Sequence, residues 1–553
     1  MQLRPVATLI SGLLGSVLAA TASADSLVHN ARLITVDPAQ PIAEAMLISD
    51  QGTIVAIGRS EDLLAKSPSA KRLDMAGRSI VPGLIDAHGH VLGQGLALMR
   101  ADLVGTRSKA EVLQRLQAFA ADLPDDAWLL GRGWDQNDWS DGNGEFPTAA
   151  DLDAAFPERP VWLSRIDGHA GWANSAAMAK AERELSGDWQ PAGGQIIRHQ
   201  GNASGVFVDA AMQLVADHVP AESEEILLEA LRRANKHLVS LGLTGVHDAG
   251  VPLAVLKLMQ GMADRKELDF RLYAMADGNG EALDYLCHNG LYRHPGGRLS
   301  MRAVKLYADG ALGSRGALLL AAYSDAPKQT GLAVSDAGEL EQAMRKAAGC
   351  GVQVATHAIG DAANRRVLQL YQQTLNNSSA DHRWRIEHAQ IVSADDFERF
   401  HALGVIASMQ PTHATSDMPW AEQRVGPERI VGGYAWRAMR DHGVRLALGS
   451  DFPVESADPV LGLYAAITRQ DTLGQPLSGW YPAQRLTAFE ALRGFTLDAA
   501  YAGFDEQRLG SLTVGKQADF VVLERDPLEL SASGLKQSPV VATYLGGQPV
   551  FER

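Results

Sequence analysis

Cysteine is nearly absent from this 553-residue chain, which holds only Cys287 and Cys350. Two thiols are no disulfide framework and cannot supply a four-ligand structural zinc site, so both are expected as small, buried apolar side chains. No run of Lys and Arg occurs either. With a formal net charge of −15, the overall field repels a phosphate backbone, which argues against nucleic acid as a partner. Beyond Ala24 no apolar stretch reaches the roughly 20 residues needed to span a bilayer. Internal repeats and low-complexity tracts are missing too. What is there, 46% apolar and 21% charged residues, is the composition of a soluble globular protein with a sizeable core. One large domain with appendages is expected, because domains usually run about 100 to 200 residues.

Residues 1–24 combine Arg4, an apolar stretch from Val6 to Ala20 and the small-x-small tripeptide Ala22-Ser23-Ala24. This is the pattern of a cleaved secretion signal, and its apolar part is too short for a membrane anchor. The mature protein is expected in the periplasm or the medium, without a stable membrane anchor.

After the signal, Ser26 to Ile34 and Ala45 to Ile57 alternate in part between apolar and polar residues, with Asp50-Gln51-Gly52 at a turn, as hairpin strands do. Asp519 to Leu523 and Val540 to Val550 look like strands as well, so the two ends are expected to pair in one small β-sandwich. Between them β-branched runs alternate with helical stretches, at 84–90, 244–248, 270–275, 303–308, 353–357, 384–388, 405–410 and 446–451. Eight such strands with intervening helices predict a distorted (β/α)8 TIM-like barrel. The gap of about 150 residues between the first two strands is far longer than a βα connection needs, so an insertion fills it. The expected division is a signal over 1–24, sandwich strands over 25–80, the barrel over 81–484 with an insertion near 94–235, and a last barrel helix returning to the sandwich over 485–553. Gly131-Arg132-Gly133-Trp134-Asp135 and Asp167 to Asn174 lie in the insertion, placed to cover the barrel mouth.

The first barrel strand ends Asp86-Ala87-His88-Gly89-His90. Alternation puts His88 and His90 on one side, a two-imidazole clamp suited to zinc. A lone His-x-His is as often structural as metal-binding; position separates the two. His357, His388 and Asp451 each stand at the C-terminal end of another strand, the face where barrel enzymes keep their catalysts. Lys305 sits in the apolar strand Ala303-Val304-Lys305-Leu306-Tyr307, where an ammonium needs a neutralising partner such as Asp309.

The segment Val304 to Arg315, with Val81-Pro82-Gly83-Leu84-Ile85-Asp86 and Gly510-Ser511-Leu512-Thr513-Val514-Gly515-Lys516-Gln517-Ala518-Asp519, resembles the amidohydrolase superfamily, in particular its YtcJ-like branch, which includes N-substituted formamide deformylases. The resemblance covers nearly the whole mature chain. It implies a divalent metal, most simply zinc, as two ions bridged by a carboxylated Lys305. His88, His90 and Asp451 would hold one ion, and His357 and His388 the other. It also raises His169, Asn174, Arg315 and His413 as substrate-binding candidates, while His247 stays outside the set.

A divalent ion lowers the pKa of bound water from 15.7 toward about 7. Asp451 is the candidate general acid/base, taking the proton during attack on a carbonyl and returning it to the departing amine. The expected activity is hydrolysis of a carbon–nitrogen bond in a small amide or N-substituted formamide. Alternatives on the same scaffold are a deaminase, an esterase or lactonase, or a binding protein that has lost catalysis. Trp134, Trp139 and Trp172 hint at a ring-bearing substrate, with core packing the plainer account. Oligomeric state is left open, a homo-oligomer included.

Overall fold

The structure is a computed structural model that describes residues 25–553 apart from 125–126, 141–143, 376–380, 530, 532–533 and 535–538. The secretion-signal segment lies outside the described residues.

Eight parallel strands form the central sheet in chain order: β1 (Leu84–Gly89), β2 (Leu243–Val251), β3 (Arg271–Asp277), β4 (Leu299–Tyr307), β5 (Gln353–Ala358), β6 (Arg385–His388), β7 (Ile406–Met409) and β8 (Leu446–Leu448). These strands are buried on both faces, which is why they read as near-continuous apolar runs. Their outward side chains, among them Leu84, Val246, Leu272, Val304 and Ile386, join one core with the surrounding helices. Just past β8 the chain turns across to β1 and draws the barrel nearly closed. Asp451 N–H donates to His88 C=O at 2.7 Å, and His90 N–H donates to Phe452 C=O at 2.8 Å. The buried Asp86 carboxylate accepts the Ser450 hydroxyl at 2.6 Å. Gly89 is required at this seam, since a Cβ there would lie 2.4 Å from the Phe452 ring.

The two ends of the chain share a six-stranded sheet, in which Ser79–Pro82 pairs antiparallel with Phe520–Leu523 and parallel with Arg32–Ile34. A four-stranded sheet built from Ser26–His29, Ala45–Ile48, Ile54–Gly58 and Lys71–Asp74 packs on it. Val28, Met46 and Ile54 of one sheet meet Ile80, Phe520 and Tyr544 of the other in a single core.

Between β1 and β2 the chain builds a mixed six-stranded sheet running from Ala101–Asp102 to Asn202–Asp209. Its core holds Trp134, Trp139 and Trp172, with the Trp134 and Trp172 ring centroids 5.8 Å apart. Both indole N–H groups donate to backbone carbonyls, of Leu163 and Thr148. These tryptophans pack a core; they do not face substrate. The cysteines correct another expectation: Cys287 and Cys350 form a disulfide, their Cα atoms 5.1 Å apart. It ties the helix Glu281–Asn289 to the C-cap of the helix Ala337–Gly349. Among the described residues no helix is long and apolar enough to cross a membrane.

Candidate metal centre

The barrel brings the strand-end residues to one place. His90 Nε2 lies 3.1 Å and His88 Nε2 3.6 Å from Asp451 Oδ1, and Lys305 Nζ lies 3.0 Å from His88 Nε2. His388 approaches the other carboxylate oxygen of Asp451 at 3.8 Å, and its ring centroid is 4.6 Å from that of His357. Ligand atoms of His88, His388 and Asp451 all fall within 4.8 Å of one another. His388 and Asp451 hold φ values of +74° and +64°. Non-glycine residues avoid this left-handed region, and such strain clusters at functional sites.

Three of the imidazoles are pinned from behind. His88 Nδ1–H donates to Glu387, His90 Nδ1–H to Ala249 C=O at 2.9 Å, and His388 Nδ1–H to Gln410 Oε1 at 2.8 Å. Such outer hydrogen bonds fix the tautomer and leave Nε2 for a ligand in front. Glu387 is held in turn by Arg385 at 2.5 Å, whose guanidinium also donates to Ser408 Oγ, Ala87 C=O and His247 Nδ1. His247 supports the site from the second layer.

Burial, with Lys305 nearby, pulls the His88 pKa down to about 4, and burial holds His357 and His388 well below the usual histidine value. All three are neutral near pH 7, the form that binds metal. Burial alone would raise the Asp451 pKa, but the His90 hydrogen bond and the imidazoles of His88 and His388 around it outweigh that effect and keep the carboxyl well below its usual range. Burial lowers the Lys305 pKa to about 8. Asp309 does not neutralise Lys305: its carboxylate accepts the backbone N–H groups of Leu318, Ile359 and Gly360.

The Amidohydrolase family profile matches residues 72–551. The chain belongs to the amidohydrolase family. This amidohydrolase is 34% identical to the Arabidopsis thaliana protein LONG AFTER FAR-RED 3, over 96% of this chain and 92% of that one. It is 33% identical to YtcJ of Bacillus subtilis, which carries an amidohydrolase name, over 92% and 96% of the two chains. The N-substituted formamide deformylase of Arthrobacter pascens is 28% identical over 96% of this chain and 98% of its own. Among solved structures, an uncharacterized metal-dependent hydrolase from Pyrococcus horikoshii OT3 matches with a TM-score of 0.74 and 29% identity, covering 92% of this chain and 99% of that one.

In the amidohydrolase five of the six strand-end residues, His90, Lys305, His357, His388 and Asp451, line a cavity of about 880 Å³, roofed by the insertion through Asp167, Gly168 and His169, while His88 lies fully buried behind them. His413 lines this cavity, its buried Nε2 3.8 Å from Asp451. His169 also faces it and donates Nδ1–H to Asp209 at 2.6 Å. The other two substrate-binding candidates do not reach it. Asn174 is buried and spends its amide on the backbone of Val161, Ala177, Phe156 and Arg159 as a helix cap. Arg315 turns away to pair with Asp325 at 2.9 Å. Glu387, Arg385 and Arg132 are the site residues that sequence reasoning missed. Arg385 and Glu387 carry a usable signal, two charges at alternate positions of a strand otherwise buried.

Proposed function

We propose that this amidohydrolase hydrolyses the carbon–nitrogen bond of an amide or N-substituted formamide with the help of one or two divalent metal ions. The observation that carries this reading is a pair of buried imidazole nitrogens with no hydrogen-bond partner among the described residues, His357 Nε2 and His413 Nε2, beside an Asp451 carboxylate on which His90 and His88 also converge. Leaving such atoms unmade is costly, so their convergence beside two further neutral imidazoles fits a bound cation. His88, His90 and Asp451 would hold one ion, and His357 and His388 the other. Zinc suits this set of imidazole and carboxylate donors.

When bound, the metal acidifies water and polarises a carbonyl oxygen. The chain's own residues do the rest. Asp451 accepts the proton of the water that attacks the carbonyl carbon and delivers it to the departing nitrogen. Glu387 and Ala249 keep the His88 and His90 rings aimed. Lys305, with its lowered pKa, would give up its proton to leave a free amine; addition of carbon dioxide to that nitrogen releases a second proton and would replace the buried cation with a carbamate anion.

The disulfide supports an exported protein, because such bonds persist in oxidising compartments. The relative named for formamide deformylation supports the choice of bond.

The test follows formate release from N-substituted formamides by zinc-loaded protein, before and after chelation and with Asp451→Asn. Loss on chelation, recovery with zinc and a fall of about 10² to 10⁴ in kcat for Asp451→Asn are expected. Activity indifferent to both treatments refutes the reading. Carboxylation of Lys305 is read separately, as a carbamate resonance in the ¹³C spectrum of protein loaded in labelled bicarbonate.

A further inference from the structure

The motif Gly131-Arg132-Gly133-Trp134-Asp135 takes no part in the chemistry above, yet it delivers a guanidinium to the cavity wall. Three arginines line that cavity. Arg165 pairs with Asp135 and Asp167 at 2.5 Å each, and Arg100 with Glu222 at 2.8 Å. Arg132 has no carboxylate within ion-pair distance among the described residues. Its one hydrogen bond there runs from Nη2 to the Ile166 carbonyl at 2.6 Å, and its buried Nε has no partner.

The position of Arg132 is built, not incidental. Gly133, with φ +108°, lets the strand pass Val104, whose side chain a Cβ would meet at 2.5 Å. Gly168, with φ +75°, turns the chain beside Nη1 in a conformation that favours glycine. A side chamber of about 270 Å³ opens at this point, with Arg132 and Arg100 in its wall, Leu96, Pro453 and Val454 as apolar sides, and His90 at its inner edge. The chamber and the main cavity therefore share a wall with the metal centre. Burial holds the Arg132 pKa below the usual guanidinium value, with Asp167 and Asp451 opposing that shift; a guanidinium stays charged in proteins, and this one stands beside the reaction centre.

We infer that this side chamber binds a carboxylate of the substrate through Arg132, so that the amides this enzyme cleaves carry an anionic group away from the scissile bond. A half-buried guanidinium without an ion-pair partner among the described residues costs stability that a bound anion restores. A carboxylate, with one charge, fits better than a phosphate dianion, because Asp167 borders the same chamber and repels the second charge. The inference rests on the amide-hydrolase reading, but its test does not require turnover.

The probe is a matched pair that no amidase cleaves: methanesulfonamidobenzoate and the corresponding benzamide, each as the meta and para isomer. Binding to zinc-loaded protein is measured by titration calorimetry, with inorganic phosphate as a further ligand. For at least one isomer the acid is expected to bind tenfold or more tightly than the neutral amide, and more tightly than phosphate. Arg132→Met and Arg132→Gln are expected to bring the acid-to-amide ratio close to one, and Arg132→Lys to keep part of it. Folding of each variant is checked by thermal melting.

Equal binding of acid and amide, no binding of the acid, or phosphate bound more tightly than the acid overturns the inference. A preference that persists in folded Arg132→Met also overturns it, because the carboxylate then sits on the metal. Formamide turnover without any acid preference leaves the enzyme reading intact and removes this one; an acid preference without turnover does the reverse.

Discussion

Glu387 never faces the cavity, yet it decides how His88 is presented. Its pKa lies well below the usual range: burial would raise it, and Arg385 and His88 outweigh that effect, so it is a fixed anion behind an imidazole. Glu387→Gln is expected to weaken metal affinity about 10- to 100-fold, read by competition with a chromophoric chelator. It also strands Arg385, so unfolding free energy should fall by about 3 kcal/mol in a denaturant titration. Unchanged affinity would remove Glu387 from the site. His169 makes a pH prediction. Burial opposes its charge, but Asp209 and its acidic neighbours raise the pKa to about 9, above an unfolded value near 6.5. A raised folded value stabilises fully below about pH 6.5 and is lost as pH climbs through about 9. Melting temperatures between pH 6 and 10 should show the wild-type advantage over Asp209→Asn shrinking across that window; a constant advantage contradicts it. At this scale, the residues that the barrel gathers were legible where a polar group ends an apolar strand, as with His357 and His388. Asn174 and Arg315 misled because a polar side chain beside a motif serves the backbone or an acid as readily as a substrate, and sequence does not show which way it turns.

At the scale of elements, the seam between β1 and the turn after β8 carries both barrel closure and the placement of Asp451. Gly89→Ala would press a methyl into the Phe452 ring, at about 1 to 3 kcal/mol for overpacking. The expected result is a lower melting temperature together with reduced zinc content by emission spectrometry; full zinc content would show that closure and ligand placement are independent. The eight strands could be read from the sequence because burial on both faces writes an apolar run. Their ends were less legible: the last runs only Leu446–Leu448, since Ser450 and Asp451 leave it to bond with β1. The insertion's sheet was not foreseen. Its strands pair in a mixed parallel and antiparallel order, and that order follows from contacts distant in sequence.

For the whole molecule, the disulfide closes a loop of 63 residues, long enough that the chain-entropy account assigns it roughly 4 kcal/mol. Cys287→Ser with Cys350→Ser should lower unfolding stability by about 2 to 4 kcal/mol and leave zinc content intact. An unchanged denaturation midpoint would mean the bond is incidental to the fold. Composition could not reveal the pairing, because two cysteines in so long a chain say nothing about which helix ends meet. The pairing of Ser79–Pro82 with Phe520–Leu523 has a consequence for biosynthesis. The earliest strands to leave the ribosome must wait for some of the last, their edges bare while everything between is made. A product that stops short of Phe520 keeps that apolar edge open to another molecule, so prematurely terminated chains should accumulate as aggregates, not as smaller soluble enzymes.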